Sequence, residues 1–185
     1  ENCHWGRTVP AGTSPPPPSP VPGGPPAYAV WLAPCSSVAE TQRWRVQPVL
    51  SPATGLAAVN PVSGTPFVTV SHEATGRVLS VAGCTRAPLP RGSGGNVTVM
   101  DGADPTCGGA NQRFQINRNG TITTELDGAC LNVYGGGVDR VHPFLNHDVQ
   151  TFACGMMGNS SRGQWRVTAQ GSIESEFNGT CLTAG

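Results

Sequence analysis

Six carboxylates fall in close pairs, Asp101/Asp104, Glu125/Asp127 and Glu174/Glu176. Such pairs are the minimal equipment of a general acid and base. Each, however, lies among turn or surface-strand residues, where a solvated carboxylate is the ordinary state. His142, His147 and Asp148 would supply nitrogen and oxygen ligands to a metal, but the same stretch holds Pro143 and Gly135–Gly137 and reads as a loop. The cysteines include no Cys-x2-Cys, the spacing that marks structural zinc. No nucleophile stands beside a base, and no glycine-rich loop is set to hold phosphate. These residues point away from an enzyme, and neither a metal nor a cofactor is expected.

Other residues speak of compartment. There are 7 Cys in 185 residues, many for a reducing cytosol. Sequons for N-glycosylation occur at Asn96-Val97-Thr98, Asn119-Gly120-Thr121, Asn159-Ser160-Ser161 and Asn178-Gly179-Thr180. Four of them beside so many cysteines favour the secretory route, with those Asn on exposed turns of an extracellular protein. The odd cysteine count leaves one thiol for another chain, for a missing segment or for no bond, and linkage of copies into a homo-polymer is one outcome. Net charge is 0 and only 12% of residues are charged, which offers no basic face to nucleic acid. All 11 basic residues are Arg, a bias ascribed mainly to base composition. No apolar run is long enough to span a bilayer as a helix. The chain opens at Glu1-Asn2-Cys3-His4 without a signal peptide, and is expected to be a mature or excised piece of something larger.

The elements that must position these residues divide in two. Residues 1–27 hold Ser14-Pro15-Pro16-Pro17-Pro18-Ser19-Pro20, then Pro22, Pro25 and Pro26. Proline lacks the donor for a sheet ladder, so this segment is expected to be extended polyproline II, a semi-rigid linker. Residues 28–185 change texture, to short β-type runs separated by Gly, Asn, Asp and Pro. The runs include Tyr28–Leu32, Phe67–Ser71, Arg77–Val81, Asn96–Met100, Arg113–Ile116, Thr121–Thr124, Cys130–Tyr134, Val149–Phe152, Trp165–Thr168 and Ser172–Glu174. No helical apolar period lasts three turns. The class is all-β, a sandwich or a barrel-like fold.

An internal repeat decides between them. One copy reads Asp127-Gly128-Ala129-Cys130-Leu131-Asn132-Val133, then Val149–Cys154, Gly163-Gln164-Trp165 and Gly171-Ser172-Ile173. The copy before it reads Thr75–Val81, Val97–Met100 with Cys107, Asn111-Gln112-Arg113-Phe114 and Gly120-Thr121-Ile122. A third begins partway through, as Val30–Cys35 and Gln42-Arg43-Trp44. Val78 to Phe114 spans 36 positions and Cys130 to Trp165 spans 35, a close match across turn-rich sequence.

With its Gln-x-Trp elements, residues 28–185 resemble the ricin-B lectin family. The proline block, a serine followed by four prolines, resembles hydroxyproline-rich extracellular glycoproteins of plants and green algae. The first resemblance implies a β-trefoil of three four-stranded lobes, disulfide-bonded, with Trp44, Phe114 and Trp165 as core anchors. It also implies that Gln42 and Gln112 hydrogen-bond backbone in the cap, whereas Gly163 stands where the third Gln belongs. Disulfides Cys130–Cys154 and Cys84–Cys107 are implied in the third and second lobes. In the first lobe the opening strand could come from either end. Asn178–Thr183 matches the repeat better than Asn2–Trp5, which favours Cys35–Cys181 over Cys3–Cys35.

The family's sugar site needs an Asp two places after the repeat's first Cys, an aromatic two before its second Cys, and an Asn before the Gln. No lobe keeps all three. The third has Asn132, Phe152 and Arg162; the second has Ser80, Met100 and Asn111; the first has Thr183 or Trp5, Ala33 and Thr41. Loss of the Asp removes charge-assisted bonds to vicinal hydroxyls. The candidate carbohydrate-binding residues are therefore Asn132, Tyr134, Gln150 and Phe152, with His147 nearby and Phe152 open to a core role instead. Two functions stand: a carbohydrate-binding module, galactose- or arabinose-type, and a structural module that assembles with neighbouring glycoprotein copies into a coat, wall or filament.

Overall fold

The computed structural model describes residues 27–87, 93–133, 149–154, 161–177 and 179–185. The proline block, Cys3, Tyr134, His142, His147, Asn159 and Asn178 lie outside the described residues. The described chain is all-β, with short 3₁₀ turns and no α-helix among these residues.

Twelve strands run in chain order: β1 Ala27–Pro34, β2 Trp44–Pro48, β3 Val68–His72, β4 Val78–Val81, β5 Ser93–Met100, β6 Phe114–Ile116, β7 Ile122–Thr124, β8 Cys130–Val133, β9 Val149–Phe152, β10 Trp165–Val167, β11 Ile173–Ser175 and β12 Thr180–Ala184. Their pairings repeat three times. A first hairpin joins β12 to β1, β4 to β5, and β8 to β9. A second joins β2 to β3, β6 to β7, and β10 to β11. The fourth strand of each lobe then meets the first strand of the next, at Ser71 with Val78, Thr123 with Cys130 and Glu174 with Cys181. Single hydrogen bonds repeat too: the amides of Glu73, Glu125 and Glu176 donate to the carbonyls of Arg43, Arg113 and Gln164. This is a β-trefoil. Its first lobe consists of β12 with β1–β3, the second of β4–β7, and the third of β8–β11.

Alternation along each strand sends one side chain in two to a common core. Leu182, Leu79 and Leu131 are equivalent inward residues of the three opening strands, facing Leu32, Val99 and Thr151. Trp44, Phe114 and Trp165 are the large anchors, buried to within 3%, each removing roughly 150–250 Å² from water. An indole also needs a partner for its N–H. Trp44 Nε1 donates to Leu182 O and Trp165 Nε1 to Leu131 O, both at 2.9 Å, so each Trp is bolted to the opening strand of its own lobe. Phe114 has no donor and makes no such bond.

Two glycines let the lobes close on one another. The Gly171 carbonyl accepts from Trp44 N at 2.8 Å, and the Gly120 carbonyl accepts from Trp165 N at 2.7 Å. Both have left-handed φ, +82° and +81°, and a Cβ would lie 2.8 Å from Trp44 O or 2.6 Å from Gln164 Oε1. Only glycine fits there.

Disulfides link Cys35–Cys181, Cys84–Cys107 and Cys130–Cys154. The last two close short loops, with separations of 23 and 24, and contribute about 3 kcal/mol each in the chain-entropy model. Cys35–Cys181 has a separation of 146, ties β12 to β1, and contributes about 5 kcal/mol on the same model.

The first lobe carries one elaboration. Between β2 and β3 the chain makes two small hairpins, bridged at Leu50–Ala57 and Val59–Pro66. Leu50, Leu56, Val59 and Val62 are exposed on it. The buried Gln115 amide pins its tip, donating to Ser63 Oγ at 3.2 Å and Thr65 O at 3.0 Å while accepting from Asn60 Nδ2 at 2.9 Å.

Candidate functional site in the third lobe

The carboxylates are committed elsewhere. Asp101 pairs with Arg77 at 3.0 Å, Glu125 with Arg113, and Glu174 with Arg166. The hydrogen bond that Arg166 donates to Glu174, and then the charge of Glu174, raise the Arg166 guanidinium above its ordinary value. Asp127 accepts from the backbone of Ala87 and Ala129, and the buried Asp104 accepts from Asn111 Nδ2 at 2.8 Å. Five of the six candidate acids thus hold structure together.

Each lobe has a 3₁₀ turn before its aromatic anchor, ending at Gln42, Gln112 or Gly163. In the first lobe the Gln42 amide donates to Pro34 O at 2.9 Å and Thr183 Oγ1 at 3.2 Å, and its Oε1 accepts from Ser36 N at 2.8 Å. In the second, Gln112 donates to Gly102 O at 3.0 Å and Ser80 Oγ at 2.8 Å, and accepts from Asp104 N at 2.8 Å. One carboxamide knits opening strand, second strand and turn. Asn111, beside it, is fully buried with Nδ2 on Asp104 and on Val81 O. Of the second lobe's would-be sugar positions, Ser80 and Asn111 are tied into this network and Met100 is buried.

The third lobe lacks the knit. Asn132 occupies the position of Thr183 and Ser80, is only 4% exposed, and its Oδ1 is buried without a hydrogen-bond partner. A Cβ on Gly163 would sit 3.3 Å from Asn132 Nδ2, so the missing side chain would have reached this amide. In its place a cleft of about 940 Å³ opens. Asn132 and Cys130 form its floor, Gly163 and Gln164 one side, the β6–β7 turn another, and Ser63–Pro66 of the first lobe the far wall. Among the described residues no carboxylate lines it; the lining is amide and hydroxyl groups, apolar atoms in about equal measure, and Arg118.

The other candidate residues lie across β8 and β9 on the outer face. Val149 and Thr151 point inward and are buried, so Gln150 and Phe152 point out and are partly exposed. Asn132, Gln150 and Asn96 occupy one row across β8, β9 and β5. Gln150 Nε2 donates to Asn96 Oδ1 at 2.9 Å. Phe152 occupies the next row, with Cys130 on one side and Ser93 on the other. Phe152 is therefore half-buried on the outer face and is not a core residue. The structure unites Asn132, Gln150 and Phe152 on two adjacent rows.

No family model and no curated protein matches the chain. Solved structures do. One is the earthworm lectin C-terminal domain mutant in complex with 6'-sialyllactose, 16% identical, covering 64% of this chain and 86% of that one, with a TM-score of 0.44. Another is the earthworm R-type lectin C-half in complex with GalNAc, 17% identical, covering 64% and 87%, with a TM-score of 0.41.

Gly163 at the place of a Gln is visible in the sequence, but the opening that follows from it is not. Ser63–Pro66 belongs to the elaboration between β2 and β3, outside the repeat, and nothing in the sequence signalled that it would wall the third lobe.

Proposed function

We propose that this chain is a non-catalytic, extracellular carbohydrate-binding module of lectin type, with a weak site on the outer face of its third lobe. The observation that carries the reading is the partly exposed, outward-facing Phe152, with Gln150 and the nearly buried Asn132 in the adjacent row of the sheet. An aromatic face flanked by neutral donors and acceptors suits the C–H surface and hydroxyls of a pyranose. Three disulfides and exposed sequons at Asn96 and Asn119 suit a secreted protein. Without an acidic residue to take vicinal hydroxyls, affinity for a galactose- or arabinose-type sugar is millimolar at best, about −4 kcal/mol. The test is titration with galactose, arabinose and N-acetylgalactosamine, repeated on Asn132→Ala and Phe152→Ala with the melting temperature followed. Binding lost in both variants with folding preserved supports the reading. A wild type silent to high millimolar sugar ends it.

A second reading, a structural module that assembles with neighbouring copies, is favoured by the exposed Leu50, Leu56, Val59 and Val62 on the first-lobe elaboration. Sedimentation of wild type against Leu56→Ser/Val62→Ser tests it; a monomer in both cases argues against assembly through this surface.

A further inference from the structure

The cleft beside β8 has a glycan acceptor on its own rim. Asn119 lines it, exposed at the tip of the β6–β7 turn. The Asn119 side chain is not free to swing, because Oδ1 accepts from Thr121 N at 3.2 Å and from Thr121 Oγ1 at 2.8 Å. Both bonds fall on the oxygen, so neither engages the amide nitrogen. The opposite surface holds Asn132, whose Oδ1 is buried without a partner. Between them the lining is neutral and mixed, hydroxyls and amides among apolar atoms, with Arg118 its one charge. The volume, about 940 Å³, lies in the range of roughly 300–1,000 Å³ usual for ligand pockets.

We infer that Asn119 carries an N-glycan and that the first N-acetylhexosamine residues of this glycan lie in the cleft against β8, so that the module's own sugar fills it. The inference rests on the secretory route proposed above and not on the sugar site at Phe152. Attachment requires a lipid-linked oligosaccharide diphosphate as donor. Asn119 Nδ2 bonds to the anomeric carbon as the bond from that carbon to the diphosphate oxygen breaks; Nδ2 loses one proton and the lipid diphosphate leaves with the electron pair. The chain's other described sequon makes an internal control. Asn96 is exposed on the outer face of β5, its Oδ1 held by Gln150, and it does not line the cleft.

The crevice has a counterpart that explains why it is open here. In the first lobe the equivalent hollow, lined by Cys35, Gln42, Gln170 and Cys181, measures about 390 Å³, with Gln42 inside it. Gly163 leaves that space to a ligand, and Asn119 stands where Gln170 stands in the first lobe.

The experiment uses the full chain secreted from a eukaryotic host that N-glycosylates. Glycopeptide mass spectrometry reads occupancy at Asn119 and Asn96, and a peptide-N-glycosidase time course reads release from the native and the denatured protein. Expected is occupancy at Asn119, native release there at least ten-fold slower than at Asn96, and equal rates after denaturation. Gly163→Gln, which returns a side chain to the cleft without touching the turn, should bring Asn119 release to the Asn96 rate. An unoccupied Asn119 beside an occupied Asn96 overturns the inference, as do equal native rates. Protection that survives Gly163→Gln also overturns it, because the turn and not the cleft would then be responsible. Failure to bind added galactose, with Asn119 still protected, rejects the Phe152 site and leaves this inference standing.

Discussion

The first and third lobes share strand pairings, an indole bolted to the opening strand and a disulfide beside it, yet their crevices differ: Gln42 stands in the first where the third has Gly163, and Ser63–Pro66 borders only the third. Gln42 closes the first lobe's crevice to about 390 Å³ and covers Thr183. Gly163 leaves the third lobe's at about 940 Å³, with the Asn132 oxygen unpartnered. The fold tolerates the loss because Trp165, Cys130–Cys154 and the shared core carry the third lobe without the knit. An unpartnered amide oxygen does not by itself set the third lobe apart, since Asn111 Oδ1 in the second lobe is also buried without a partner; the difference lies in the side chain missing at Gly163.

The comparison breaks first at its anchors. Trp44→Ala and Trp165→Ala should each cost about 3–5 kcal/mol, since both remove a buried ring and a hydrogen bond. Equal losses in denaturant unfolding would show that the two lobes rest on the same support. An unchanged melting temperature for Trp165→Ala would mean that the third lobe is not anchored as the first is.

The knit itself is the next test. Gln112→Ala leaves Ser80, the Gly102 carbonyl and the Asp104 amide without their partner, at a cost of about 2 kcal/mol. Gln164→Ala, at the shifted position in the third lobe, should change stability by no more than about 0.5 kcal/mol, as a partly exposed site away from any such network. If the two variants unfold at the same denaturant concentration, the glutamines of the closed lobes are not what distinguishes them.

The smallest effect sharpens the comparison from the other side. Gly163→Gln should stabilise by about 1 kcal/mol, by giving Asn132 Oδ1 a donor and by restricting the unfolded chain. The Gly163 backbone is not left-handed, and the new Cβ asks the Asn132 amide to give by a few tenths of an ångström. A destabilised variant would mean that the third lobe has repacked around glycine and no longer holds a vacancy for the missing side chain.

Much of this was legible in the residues themselves. The short β-type runs between turn residues already pointed to an all-β chain, and the repeat's resemblance to ricin-B lectins implied three four-stranded lobes. The better match of Asn178–Thr183 to an opening strand already pointed to a first lobe completed by β12. Gly163 was visible as a departure from Gln42 and Gln112. Strand alternation alone could not say whether Phe152 faces the core, since that depends on which neighbour of a buried residue the sheet turns outward, and the buried Thr151 decided it. The reach of Ser63–Pro66 to the third lobe was likewise decided only in three dimensions, where Gln115 pins the hairpin tip. The cleft is bordered by segments that run from Ser63 to Gln164, and no local pattern in the chain records a space that several distant segments jointly leave empty.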